Sequence, residues 1–94
     1  MDLEKLLNYH ITVHGRVQGV GYRYWAQRTA ESLNIKGFVK NNSDGSVFIE
    51  AEGTDDNLSK FMALCKNGSG WSHVERLDFT EYPTRGFDKF KIEY

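Results

Sequence analysis

The chain has 94 residues, and its 12 Lys and Arg against 13 Asp and Glu give a formal net charge of -1. This length suits one small domain, and the near balance of charge gives no protein-wide electrostatic attraction to nucleic acid or to membranes. Cys65 is the only cysteine, which excludes a disulfide framework and a cysteine-based metal site. We predict one cytoplasmic domain over residues 1–94, with residues 1–7 as a flexible N-terminal extension.

The first predicted elements are a strand and a helix joined by a glycine-containing segment. Apolar and polar residues alternate from Tyr9 to His14, which is typical of a strand with one apolar face. The glycine-containing segment covers residues 15–21. Apolar residues then recur at helical spacing from Tyr22 to Leu33. Asn34 is expected to end this helix, because Asn tolerates the left-handed conformation common just past a helix end.

The middle of the chain predicts a hairpin. Residues 38–41 and 47–51 have the apolar character of strands, and Asp44-Gly45 between them is a turn-forming pair. Thr54, followed by two aspartates, is typical of the start of a helix, since a hydroxyl caps the first turn and acids favour its positive end.

The remaining elements define the predicted fold class. Apolar residues from Leu58 to Cys65 recur at the spacing of a helix, and strands are expected at about 74–82 and 89–94. The order is β-α-β-β-α-β with an extra strand. We therefore predict an α+β, ferredoxin-like sandwich with two helices packed on one face of a mostly antiparallel sheet of four to five strands.

The segment from Gly15 to Arg23 is the first candidate for a binding site. Its three glycines allow the backbone to approach a ligand, and the helix that follows offers unpaired N–H groups and a positive dipole end. These features favour an anion, and phosphate above all. By itself the pattern also fits a plain strand-to-helix turn, since it lacks the residues of a Walker loop and of a dinucleotide fingerprint.

Arg23 strengthens the anion hypothesis. A cation in the first turn of a helix opposes the dipole, so a bound anion would relieve that penalty. Residues 7–29 contain no Asp or Glu but carry Arg16, Arg23 and Arg28. An exposed arginine that points into solvent is the simpler alternative.

Two longer motifs resemble those of a known family. Residues 13–23, Val-His-Gly-Arg-Val-Gln-Gly-Val-Gly-Tyr-Arg, closely resemble the acylphosphatase signature. Residues 37–41 together with 44–47 resemble the second motif of that family. The resemblance extends over nearly the whole chain from Tyr9.

The resemblance implies a reaction and a set of site residues. The reaction is hydrolysis of an acyl phosphate to carboxylate and inorganic phosphate, without metal or cofactor, and phosphate is then expected as product and inhibitor. Arg23 would bind the phosphoryl oxygens and Asn41 would position the attacking water. Backbone N–H groups would cradle the phosphoryl group; they belong to Gly15, Arg16, Val17, Gln18, Gly19 and Val20. At this size a monomer is expected, with neither nucleic acid nor membrane as partner.

Other hypotheses remain at this stage. A non-catalytic phosphate-binding module of the same fold would share the glycine segment. Residues 36–39 faintly resemble an RNA-recognition motif, but Lys40 and Asn41 stand where that motif continues differently. His10 and His14 are four strand positions apart, about 13 Å, which is too far to share a metal ion.

The chain also departs from the family pattern. Asn34 stands where relatives usually have Gly, and Tyr22 replaces the commoner Phe. Residues 68–72 lack the usual prolines, so we expect this loop to be looser and Trp71 to be exposed.

Overall fold

The computed structural model describes residues 5–94, which form five strands and two helices. The elements are β1 (Leu6–Arg16), α1 (Tyr22–Ser32), β2 (Lys36–Asn41), β3 (Val47–Thr54), α2 (Asp55–Asn67), β4 (His73–Tyr82) and β5 (Phe90–Glu93). The strands form one sheet in the order β4-β1-β3-β2-β5. β5 runs parallel to β2, while the other neighbouring strands are antiparallel. The predicted ferredoxin-like class is confirmed.

The core lies between the sheet and the two helices. Along β1, Ile11 and Val13 are fully buried, as the alternating pattern predicts. Each helix adds the residues of its apolar stripe to the core: Tyr22, Ala26 and Ala30 from α1, and Leu58, Phe61 and Cys65 from α2. The Thr54 hydroxyl accepts a hydrogen bond from the Asn57 N–H at 3.3 Å, so it caps α2 as predicted. Neither helix within residues 5–94 is long and apolar enough to cross a lipid bilayer.

Two local predictions are confirmed and one is corrected. Asn34 has φ 56, the left-handed conformation expected after α1, and Trp71 is 82% exposed. Leu6 and Leu7, predicted as part of a flexible extension, instead pair with Thr54 and Gly53 of β3. Their pairing was missed because β3 is longer than its apolar run and offers partners beyond residue 51. Residues 1–4 of the predicted extension lie outside the described residues.

A connection of seven residues, 83–89, joins strands on opposite edges of the sheet. β4 and β5 are separated by three other strands, so this connection has to cross the sheet. Its backbone is bound by Glu52, whose carboxylate accepts hydrogen bonds from the N–H groups of Arg85 (2.6 Å), Gly86 (2.8 Å) and Phe87 (3.3 Å). The crossing chain is thus fixed to the central strand β3.

Neighbouring polar side chains complete this attachment. The Asn8 amide donates to the carboxylates of both Glu50 and Glu52 at 3.0 Å, and Arg85 donates to Glu50 at 2.9 Å. Asn8, Glu50 and Glu52 are all buried, on the sheet face opposite the helices. Burial alone would raise the pKa of Glu52, but the hydrogen bonds from Asn8 and from the three backbone N–H groups outweigh it and lower the pKa below 4.5.

We expect Glu52→Gln to lower the stability at neutral pH and to change its pH dependence. The lowered pKa of Glu52 means that its contribution is complete above 4.5, the pKa of an ordinary glutamate, and is lost as the pH falls through the folded-state value. Urea unfolding followed between pH 7 and pH 2.5 should therefore show a shallower acid decline in Glu52→Gln than in the wild type.

Glu75→Gln is the matched control, because Glu75 is an exposed glutamate on β4. Its stability at pH 7 should lie within about 0.5 kcal/mol of the wild type. Equal acid declines for the wild type and Glu52→Gln would contradict a stabilising role of the Glu52 carboxylate.

Candidate active site

The loop between β1 and α1 presents backbone N–H groups that the rest of the described chain does not use. Gly19 and Gly21 have φ 73 and φ 78, which turn the backbone through the left-handed region. Within residues 5–94, no loop hydrogen bond has a backbone N–H of residues 17–21 as its donor. Val17 is 1% exposed and anchors the loop in the core. The loop is therefore a fixed turn with free donors, as an anion cradle requires.

The beginning of α1 adds to the same electrostatic environment. Gly21 is the N-cap residue, no side chain caps the helix, and its first turn contains no acid. The unpaired N–H groups and the positive end of the helix dipole therefore face the loop without a neutralising side chain.

A cavity of about 180 Å³ brings the predicted site residues Arg23 and Asn41 together with this loop. Its lining consists of Val17, Gly19, Gly21, Tyr22, Arg23, Tyr24, Asn41, Ile92 and Tyr94. Of the other residues predicted to bind phosphate, Gly15, Arg16, Gln18 and Val20 lie outside the lining, and their backbone roles stay predictions.

Arg23 is held at the cavity by the end of β5. Its Nη1 donates to the Glu93 carbonyl at 3.1 Å, and its guanidinium carbon lies 4.9 Å from the centroid of the Tyr94 ring. Within the described residues, no carboxylate forms a salt bridge with Arg23. Its positive charge therefore remains available to an anion in the cavity.

Three further residues at this site, Ile92, Glu93 and Tyr94, are not indicated by the sequence motifs. They reach it because β5 pairs in parallel with β2, with Ile92 opposite Val39 and Glu93 opposite Lys40. Such pairing joins segments about 50 residues apart. The alternation of apolar and polar residues along a strand does not show which strand it will pair with.

Asn41 is the last residue of β2 and contributes a carboxamide to the cavity. Its Oδ1 is buried and accepts no hydrogen bond from the described residues. A buried acceptor without a partner is costly in a folded protein, and at a cavity it is typical of a group that serves a ligand. The carboxamide can accept through Oδ1 and donate through Nδ2.

Gln18 joins the loop to the hairpin that follows Asn41. Its side-chain Nε2 donates to the carbonyls of Asn42 and Ser46, both at 2.8 Å. The Ser46 hydroxyl and backbone N–H donate in turn to Asp44 Oδ1, at 2.6 and 2.9 Å, and these two hydrogen bonds lower the pKa of Asp44. The family resemblance implies only a backbone role for Gln18, and its side-chain contact with the hairpin adds a second one.

The other chemically active side chains lie away from the cavity. His10 lies 3.4 Å from Glu50 and His14 lies 3.3 Å from Asp78, and neither histidine lines the cavity. Burial raises the pKa of the Cys65 thiol to about 12, which disfavours its nucleophilic thiolate form. In residues 5–94, no three side chains of His, Cys, Asp or Glu cluster as metal ligands would.

Comparison with known proteins agrees with the fold and identifies the family. The acylphosphatase family model matches residues 9–92. An acylphosphatase from Treponema denticola is 46% identical over 93 residues, which cover 99% of this chain and 99% of that protein. The crystal structure of acylphosphatase from Bacillus subtilis has a TM-score of 0.91 and 45% identity, over 94% of this chain and 99% of that one. An acylphosphatase structure from Coxiella burnetii has a TM-score of 0.93 and 28% identity, over 99% and 100% of the two chains.

This chain belongs to the acylphosphatase family. Both family motifs lie within the matched range, because residues 9–92 contain the loop, Arg23 and Asn41.

Gly15, near the end of β1, allows β4 to approach β1 closely. The register of the two strands shifts between His14 and Gly15, where Gly15 has φ 133. A Cβ built there would overlap the His73 carbonyl oxygen and lie 2.8 Å from the Glu75 nitrogen. We expect Gly15→Ala to destabilise the protein by about 2–3 kcal/mol, because backbone has to move and the conformation is strained. Urea unfolding measures this change.

Gly70→Ala is the control, since a Cβ at Gly70 would meet nothing within 4 Å. It should change the stability by about 0.5 kcal/mol or less. If Gly15→Ala were as stable as Gly70→Ala, the close approach of β4 would not constrain this position.

Proposed function

We propose that the cavity is the active site of an acylphosphatase, which hydrolyses the carboxyl-phosphate bond of small acyl phosphates. The observation that carries this proposal is the meeting of three groups in one cavity: the loop N–H groups that bond to nothing else in residues 5–94, the Arg23 guanidinium, and the Asn41 carboxamide, whose Oδ1 has no hydrogen-bond partner among those residues. Membership of the acylphosphatase family supports the reaction, and the geometry supports the roles of the residues.

The loop and Arg23 bind the phosphoryl group in this proposal. Backbone N–H groups from Gly15 to Val20 donate to the phosphoryl oxygens, and the start of α1 adds the positive end of its dipole. Arg23, held by Glu93 and Tyr94, presents a planar guanidinium that can contact two oxygens at once. These fixed donors stabilise the charge that spreads over the equatorial oxygens in the transition state.

Asn41 positions the attacking water. Its Oδ1 accepts a hydrogen bond from the water, while Nδ2 is free to donate to a phosphoryl oxygen. The water oxygen forms a bond to phosphorus, and the bond from phosphorus to the acyl oxygen breaks. The carboxylate leaves with the electron pair of that bond, and a phosphate oxygen of the substrate takes the water proton. A carboxylate is a good leaving group, so the scheme asks for no general acid.

The wild type should hydrolyse a synthetic acyl phosphate such as acetyl phosphate, and Arg23→Ala and Asn41→Ala should each lower kcat. Removing one donor to developing oxyanion charge typically costs about 10²–10³ in rate, and we expect at least this loss for Arg23→Ala. Release of inorganic phosphate in a steady-state assay measures the effect.

Arg76→Ala is a suitable control, because Arg76 is an exposed arginine on β4 paired with Asp78. It should keep kcat within about twofold of the wild type. An inactive wild type that still binds phosphate would instead favour a non-catalytic phosphate-binding module.

Inorganic phosphate should inhibit competitively and raise the melting temperature. A ligand that binds only the folded state at a hundred times its Kd stabilises by about 2.7 kcal/mol. For a domain of this size, each kcal/mol raises Tm by about 4–8 °C. Arg23→Ala should need a much higher phosphate concentration for the same shift. Sodium chloride at matched ionic strength is the control, and an equal rise in chloride would argue against a preformed site.

We also propose that the protein acts as a monomer in the cytoplasm, with a small acyl phosphate and inorganic phosphate as its ligands. The short chain and its single cysteine, buried on α2, support this proposal. The low net charge supports the expectation that nucleic acid is not a partner.

A further inference from the structure

We propose that the Gln18 side chain is a positioning residue that fixes the phosphate-binding loop relative to Asn41. This inference rests on the proposed function. It concerns what fixes the distance between the two halves of the active site. One half, the loop of residues 17–21, lies between β1 and α1. The other half, Asn41, lies on β2 directly before the turn of residues 42–46.

The contact between the halves is a double hydrogen bond from a single amide. Gln18 Nε2 donates to the Asn42 carbonyl and the Ser46 carbonyl, each at 2.8 Å, and thereby uses both of its N–H groups. These two carbonyls belong to the two ends of the turn. Gln18 itself stands between Val17 and Gly19, and both of these residues line the cavity with Asn41.

The turn of residues 42–46 has hydrogen bonds of its own besides those from Gln18. The Asn42 N–H donates to the Ser46 carbonyl at 2.9 Å, and the Gly45 N–H donates to the Asn42 carbonyl at 3.3 Å. The Asn42 side chain donates to the Ser46 hydroxyl at 2.9 Å, and that hydroxyl donates to Asp44. Gln18 therefore docks a preformed turn, and its removal leaves neither carbonyl without a partner.

The position of Asn41 relative to the loop follows from two contacts, the pairing of Asn41 with Val47 of β3 and the docking by Gln18 of the turn after Asn41. Oδ1 of Asn41 has no hydrogen-bond partner among the described residues, so neighbouring groups do not fix the carboxamide through that atom. Its placement follows from its backbone, and Gln18 ties the adjacent turn to the loop. Because in-line attack requires the water and the phosphorus to be aligned, an error of about 1 Å can cost about 10²-fold in rate.

The mechanism predicts that loss of the Gln18 amide affects kcat and the inhibition constant of inorganic phosphate differently. Binding of the phosphoryl group depends on the backbone N–H groups and on Arg23, and none of these is a Gln18 side-chain contact. Water placement depends on Asn41. Loss of the Gln18 amide should therefore lower kcat while it leaves the inhibition constant of inorganic phosphate nearly unchanged.

The test uses Gln18→Met, which keeps the length of the side chain but has no donor, and Gln18→Glu, which places a carboxylate against two carbonyl oxygens. We expect kcat for acetyl phosphate to fall about 10–100-fold in Gln18→Met and further in Gln18→Glu. The inhibition constant of phosphate for Gln18→Met should stay within about threefold of the wild type. The second variant keeps the test decisive if the first does not fold.

A double-mutant cycle with Asn41→Ala separates positioning from a general structural effect. If Gln18 acts through Asn41, Gln18→Met should change the residual kcat of Asn41→Ala by less than about threefold. Gln27→Met is the matched control, because Gln27 also donates from its amide to a backbone carbonyl, that of Phe90 at 3.3 Å. It should leave kcat within about twofold of the wild type.

The outcomes distinguish this role from the proposed function. An active wild type whose kcat is unchanged in Gln18→Met would overturn the role of Gln18 and leave the proposed function intact. Full multiplication of the two effects in the double mutant would also overturn it. An inactive wild type would overturn the proposed function itself, and the role of Gln18 with it.

Discussion

The arrangement of the site depends on the hydrogen bonds between the Glu52 carboxylate and the backbone of the 83–89 connection. Three consecutive backbone N–H groups donate to one buried carboxylate, so the chain crosses the sheet along a fixed path. That path delivers β5 to the free edge of β2. The end of β5 then meets Arg23 through the Glu93 carbonyl and the Tyr94 ring. The buried Glu52 carboxylate, on one face of the sheet, therefore helps to place the Arg23 guanidinium at the start of α1, on the other face.

Local patterns were enough to predict the elements, because each carries its own periodicity and its own end signals. Thr54 caps α2 and Asn34 ends α1 in the left-handed conformation, both as expected. The same reasoning missed what depends on distant partners. Glu50 and Glu52 occupy strand positions that alternation assigns to solvent, yet both are buried by the crossing connection. No pattern in β3 records that a segment 33 residues later will cover it.

At the site, too, local features were predicted and contacts between distant segments were not. Arg23 and Asn41 line one cavity, and both were predicted, since the motifs that contain them are continuous in sequence. The side-chain contacts that support them were not predicted, because they join separate segments: Gln18 to the turn after β2, and Arg23 of α1 to Glu93. A sequence motif thus identifies the groups that contact a ligand. It does not identify the contacts from other segments that keep those groups in position.

The uncapped start of α1 has a consequence for the dynamics of the helix. A side chain commonly accepts hydrogen bonds from the first N–H groups of a helix, but Gly21 has none to offer and the first turn contains no acid. An anion in the cavity would act as the missing cap. The stability of the first turn of α1 is therefore tied to occupancy, and the amide exchange rates of that turn would report whether the site is filled.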